Sequence, residues 1–228
     1  MKRPATSPAT EKPNAAANNA ITPELRGASK SVAKSDKYQR ILDAAVEVIA
    51  EHGYFNSPVS AIAERAGVAD GTIYLYFKSK DHVLRTALDV AFARFHTRVK
   101  DMLAVTGDPR RQLEAMARMQ LEAVAGNRAL AVLMQTEVRQ SAKFFAEFSQ
   151  QHLAAYITMM RDVIRAGQQQ GIFRAEIPDA LAAHCIFGAL DEIVGSWVFS
   201  GRQFEPVTAA ASVMGLLLQG INTAGNKK

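Results

Sequence analysis

A chain of 228 residues, 48% of them apolar, has enough material for one sizeable core or for a small domain joined to a larger one. The lone cysteine, Cys185, excludes an internal disulfide, no Cys/His cluster has zinc spacing, and no apolar run reaches the ~18 residues of a spanning helix. The net charge of +5 invites nucleic acid as a partner, yet residues 37–104 carry nine basic and eight acidic side chains, too balanced for a nonspecific DNA-coating protein.

Residues 1–36 are rich in Ala, Pro, Asn, Ser, Thr and Lys and poor in large apolar groups, which predicts a disordered tail. No apolar signal segment follows Lys2-Arg3, so the expected location is the cytoplasm, with no membrane partner. From Lys37 the texture changes. Ile41, Ala45, Val48 and Ile49 recur on one face of a helix that Gly53 ends. Ser57 is then expected to cap a second helix with Pro58 in its first turn, burying Val59, Ile62, Ala63 and Ala66 before Gly67. A third, short helix over 71–76 turns Ile73 and Phe77 inward. Ser79 is expected to cap a long fourth helix through Val83, Leu84, Ala87, Leu88, Ala91 and Phe95.

Asp108-Pro109 opens the next helix, and a short one is predicted over about 127–139. A long helix over 141–170 stops at Gly171, and Pro178-Asp179 and Glu205-Pro206 open the last two. Period-two alternation is scarce, so the fold class is all-α with about nine helices. The division expected is a tail over 1–36, a helix-turn-helix domain over 37–82 and a larger helical domain over 83–228.

Two short helices around a glycine turn form a helix-turn-helix when the second can enter the major groove. With Ile73 and Phe77 spent on the core, Thr72, Tyr74 and Tyr76 are left to face outward. A hydroxyl and two phenols can donate to phosphates, and their carbons can touch thymine methyls. Lys78 and Lys80 follow, placed to neutralise phosphates, and Ser60 starts the preceding helix. A helical hairpin with half-buried tyrosines would show much of the same pattern.

The residues themselves decide between the two. The run from Val59 to Asp81, VSAIAERAGVADGTIYLYFKSKD, closely resembles the DNA-binding signature of the TetR family. The resemblance implies an N-terminal three-helix DNA-binding domain and a C-terminal helical domain that dimerises and holds an effector. It also implies that Thr72, Tyr74 and Tyr76 contact the operator, that Lys80 contacts phosphate and that Ser60 is a further contact. Gln135 to Ser141, Arg165 to Phe173 and Phe187 to Val194 with Trp197 resemble the FadR-type branch. That branch represses fatty-acid degradation genes and releases DNA on binding long-chain acyl-CoA, an effector rather than a cofactor.

An acyl chain needs an apolar tunnel, for which Met134, Phe148, Tyr156, Met160 and Trp197 are candidates, each equally readable as core packing. Arg139 is a candidate for the head group, together with Arg110, Arg111, Arg118 and Arg128. His184, Gly188, Asp191 and Gly195 recur on one face of the eighth predicted helix, where small residues permit close approach to a partner helix. Leu216 and Leu217 in the last helix are expected to complete a four-helix interface of a homodimer reading a near-palindromic double-stranded operator. An enzyme is the weakest alternative, because Asp191, Glu192, His184 and Cys185 form no recognisable catalytic assembly. A repressor of an efflux or catabolic gene that senses another hydrophobic ligand stays open.

Overall fold

The computed structural model describes residues 23–139, 146–200 and 204–222, with side chains from Ser35 onward. Nine named α-helices follow one another among them: α1 (Pro23–His52), α2 (Val59–Ala66), α3 (Asp70–Tyr74), α4 (Lys80–Val105), α5 (Pro109–Ala125), α6 (Arg128–Leu133), α7 (Ala154–Gln169), α8 (Asp179–Phe199) and α9 (Pro206–Ile221). A π-helical segment, Met134–Val138, continues α6, and another, Ser149–Leu153, leads into α7. The only β pairing among the described residues is an isolated bridge between Phe173 and Asn222.

The first helices close around a small core. Ile41, Ala45 and Val48 of α1 meet Ile62, Ala63 and Ala66 of α2, Ile73 of α3, and Phe77 just beyond it. Val83 and Ala87 of α4 complete the cluster, so the long helix roots in this core before running on into the second domain. Glycines set the turns. Gly53 (φ +79°) and Gly67 (φ +65°) take the left-handed conformation that lets a helix end abruptly, and the Gly67 N–H closes on the last carbonyls of α2.

Three local expectations are corrected. The first helix starts at Pro23 rather than Lys37, because Pro suits a first helical turn and Glu24 to Lys34 includes good helix formers; residues 1–22 lie outside the described residues. Ser57 does not cap α2. It is fully buried, and its hydroxyl donates to the Gly53 carbonyl at 2.7 Å, just past the end of α1, with the Val48 carbonyl at 3.1 Å. Pro58 therefore occupies the cap position of α2. The third helix is shorter than predicted, ending at Tyr74. The caps at Ser79 and Asp108 form as expected, accepting from the His82 and Arg110 N–H groups. The start of the predicted helix over 141–170 lies outside the described residues through residue 145.

The second core joins α5, α7, α8 and α9, with Leu113, Met116, Met160, Ile164, Ile186, Leu190 and Met214 buried together. Over its most apolar window α8 has a mean hydropathy of 1.3, long and apolar enough by composition to cross a membrane, although Asp191 and Glu192 interrupt its apolar run. Its inner residues Ala183, Ile186 and Leu190 pack into this core, while Leu181 and Phe199 are exposed. The helix is apolar because two of its faces are.

Candidate DNA-binding surface and effector cavity

The helix-turn-helix presents an uneven surface. Tyr74 is 60% exposed and Leu75 82% exposed, whereas Thr72 is half-buried at the same edge. Ser60 and Lys78 are exposed on either side. Tyr76 is partly packing: its ring meets Tyr38 edge-on at 6.0 Å and leans on the Phe77 core. Lys80 differs most from expectation. Its ammonium donates to the Ser57 carbonyl at 2.9 Å and to the Tyr54 carbonyl, and sits 4.3 Å from the Tyr54 ring centroid. Burial lowers its pKa from the usual lysine value. Lys80 thus fastens the turn between α1 and α2, a role invisible in spacing alone.

A cavity of about 290 Å³ opens between α4, α5, α6 with its π-helical extension, α7 and α8. Phe92, Phe95, Leu130, Met134, Tyr156 and Phe187 give it apolar walls. Tyr156 is buried and donates its hydroxyl to the Met116 carbonyl at 3.2 Å; burial pushes its pKa up, so it stays neutral. The polar part of the wall comprises Arg94, Arg98, Gln120, Asn127, Gln135, Arg139 and Asp191.

Of the effector residues expected from sequence, Met134, Arg139 and Tyr156 line this cavity, and Phe148, Met160 and Trp197 do not. Phe148 fills a satellite core, edge-on to Phe92 at 4.9 Å, and Met160 is fully buried in the main core. Trp197 stacks beneath the Arg128 guanidinium, 4.7 Å from its ring centroid. Arg110, Arg111, Arg118 and Arg128 are likewise absent from the lining. The cations that reach it from α4, Arg94 and Arg98, were missed. Their one signal was their position beside Ala91 and Phe95 on a face of α4 that continues past the helix-turn-helix core.

The expected dimer face also divides. His184 and Gly188 are exposed on α8, and Leu216 is 74% exposed on α9. Asp191 turns inward instead. Its carboxylate accepts from Gln135 Nε2 at 3.0 Å and forms an ion pair with Arg139 in the cavity wall. Gly195 faces the same way, with Gln135 Oε1 at 3.8 Å from where a Cβ would stand, and Leu217 packs on the main core. The outward stripe of α8 runs instead through Leu181, Cys185, Gly188, Glu192, Ser196 and Phe199. A heptad-like spacing cannot choose between two apolar faces of one helix, and Asp191 chose the side with a cation.

Two contacts tie cavity wall to helix-turn-helix. Arg94 Nη2 donates to Gln39 Oε1 on α1 at 2.6 Å, and Glu137, in the π-helical segment that carries Met134 and Gln135, accepts from the Tyr54 N–H at 3.1 Å. No group of His, Cys, Asp and Glu among the described residues is arranged to hold a metal ion.

Residues 41–87 match the family described as bacterial regulatory proteins, tetR family, and residues 89–220 match the family described as YsiA-like protein, C-terminal region. The fatty acid metabolism regulator protein of Bacillus subtilis is 36% identical over 189 residues, which cover 83% of this chain and 97% of that protein. Among solved structures, the regulator FadR from Bacillus subtilis in complex with stearoyl-CoA superposes with a TM-score of 0.76 at 36% identity, covering 81% of this chain and all of that one. The fatty acid degradation regulator FadR from Bacillus halodurans gives 0.75 at 37% identity, covering 80% and 98%. These relatives are transcription regulators and not enzymes. With a helix-turn-helix, a second helical domain and matches over both, the chain belongs to the TetR family of bacterial transcription regulators.

Proposed function

We propose that this protein is a cytoplasmic, homodimeric repressor of fatty-acid metabolism genes that leaves its operator when long-chain acyl-CoA enters the cavity. In this reading residues 37–82 read DNA through Ser60, Thr72, Tyr74, Tyr76, Lys78 and Lys80, and residues 83–228 hold effector and partner subunit. The matched ranges 41–87 and 89–220 support that division. Likeness to a regulator solved with stearoyl-CoA supports the effector.

The observation that carries the proposal is α4. One continuous helix supplies core residues Val83 and Ala87 to the helix-turn-helix and, farther along, Phe92, Arg94, Phe95 and Arg98 to the cavity. An acyl chain suits the aromatic and methionine walls. Arg98 has no carboxylate partner among the described residues and Arg94 pairs only with an amide, so both keep positive charge for the phosphates of CoA. A ligand between α4 and α8 favours those positions of α4 that accommodate it, and the recognition elements rooted on α4 move with it. If the favoured spacing of two recognition helices departs from the ~34–36 Å between successive half-sites, operator affinity falls.

The outer faces of α8 and α9, with His184, Gly188 and Leu216, are the surfaces assigned to the partner subunit. An apolar helix left open on one side needs cover. The test is a titration of acyl-CoAs of increasing chain length into a protein–operator complex followed by fluorescence anisotropy. Release by long but not short chains is expected. A folded protein whose operator complex ignores every chain length overturns the effector assignment.

A further inference from the structure

Among the described uncharged polar residues of the cavity wall, one has a buried polar atom that the protein itself leaves unpaired. Among the side chains of that kind in the wall, Asn127 Oδ1 accepts from the Leu130 N–H at 2.9 Å, Gln135 Nε2 donates to Asp191 at 3.0 Å, and the Tyr156 hydroxyl donates to Met116. Gln120, on α5, is 9% exposed, and its Oε1 is buried with no hydrogen-bond partner among the described residues. It shares one stripe of α5 with Ala123 and Val124, and the stripe leads to Asn127 at the start of α6; all of these line the cavity. Leaving an amide oxygen unpaired away from water is costly, and a plain hydrocarbon tail would not relieve it.

We propose that Gln120 is a specificity-determining residue, whose side-chain oxygen accepts a hydrogen bond from an N–H or O–H donor on the effector inside the otherwise apolar cavity. This rests on the acyl-CoA reading and sharpens it. The effector is an acyl conjugate carrying a donor close to its chain, which a free fatty-acid tail lacks. Two parts of an acyl-CoA supply that chemistry: the pantetheine amide N–H nearest the thioester, or a hydroxyl on a 3-hydroxyacyl chain. A site built around a hydrogen bond discriminates strongly against ligands that lack the partner, because its own buried group is then left unpaired.

The experiment compares wild type with Gln120→Met, similar in length and apolar, by calorimetric binding of three probes. These are stearoyl-CoA, its analogue N-methylated at the amide nearest the thioester, and 3-hydroxystearoyl-CoA. If the pantetheine N–H is the donor, the substitution weakens stearoyl-CoA about tenfold, and N-methylation weakens wild type similarly but adds little in the variant. If the chain hydroxyl is the donor, wild type prefers 3-hydroxystearoyl-CoA about tenfold and the variant loses that preference. Either outcome supports the proposal and names the source. Thermal melts check folding, and Gln120→Met is expected to melt no lower than wild type, since it removes an unpaired buried group. A folded variant with wild-type affinity and ranking for all three probes overturns the role of Gln120 alone. Wild-type protein that binds none of them overturns the acyl-CoA reading, and this inference with it.

Discussion

The backbone N–H of Tyr54, in the turn between the first two helices, donates to Glu137 Oε2 at 3.1 Å across 83 positions of sequence. Glu137 belongs to the same π-helical segment as Met134 and Gln135, which wall the cavity. π-Helical turns are uncommon and are found frequently at functional sites. On the other side of that turn the Tyr54 carbonyl is held by Lys80. Cavity wall, first turn and start of α4 are thereby linked through the backbone of one residue.

Glu137→Ala removes the acceptor from Tyr54 and is expected to reduce the effector's influence on DNA more than effector binding itself. The ratio of operator dissociation constants with and without stearoyl-CoA should fall about fivefold, or about 1 kcal/mol of coupling. Glu137→Gln keeps an acceptor oxygen and should retain most of the ratio. Anisotropy titrations on all three proteins check this, and an unchanged ratio in Glu137→Ala would make the contact merely structural.

Tyr74→Phe removes only a hydroxyl from an exposed side chain. Operator affinity should drop about fivefold, the worth of roughly one hydrogen bond, with no change in melting temperature. Tyr76→Ala should instead lower the melting temperature as well, because that ring packs against Tyr38 and the Phe77 core. Equal operator affinity for wild type and Tyr74→Phe would remove the phenol from the DNA contact set.

Leu216→Arg places a charge on the outward side of α9, where the leucine is 74% exposed in the single subunit. Buried at a subunit interface that charge lacks a partner, so sedimentation equilibrium should show a monomer with native helical content and little operator affinity. A dimer that persists undiminished would move the interface elsewhere.

Acid should destabilise the protein through His96. Its Nε2 is buried without a hydrogen-bond partner among the described residues, and the ring lies among Phe92, Phe95 and His152. Burial first, then the neighbouring His152 and Lys100, hold its pKa below the ordinary 6.5. Because the folded form binds the proton less readily than the unfolded one, this contribution is full above the unfolded value and is lost as the pH falls from 6.5 through the depressed folded value. Melting temperature should fall as the pH drops below about 6.5, and His96→Phe should flatten that slope. An identical slope in the variant would assign the acid sensitivity to other groups.

Gly167→Ala tests a close approach in the second core. A Cβ there would collide with Cδ2 and Cε2 of the buried Phe173 ring. Alanine gains about 1 kcal/mol of helix propensity over glycine, but forcing the ring aside costs about 1–3 kcal/mol, so a net loss in denaturant midpoint is expected. A stabilised variant would show that Phe173 can shift freely.

What the sequence determined by itself is local. Periodic apolar residues placed Ile62, Ile73 and Phe77 in one small core, and Ser79, Asp108, Gly53, Gly67 and Gly171 marked helix ends, because caps and left-handed turns depend on a few neighbouring residues. The motif from Val59 to Asp81 then made the family legible. Tertiary structure decided which side of each long helix faces what. Ser57 became a donor to the Gly53 carbonyl rather than a cap, and Lys80 a fastener of the turn. Asp191 turned to the cavity where Arg139 and Gln135 could satisfy its charge. Phe148, Met160 and Trp197 went to packing, while Arg94, Arg98 and Gln120 came to the cavity. Periodicity says that a helix has an apolar face. Which neighbour covers that face, and which polar group lies within reach of a partner, depends on residues far apart in the chain.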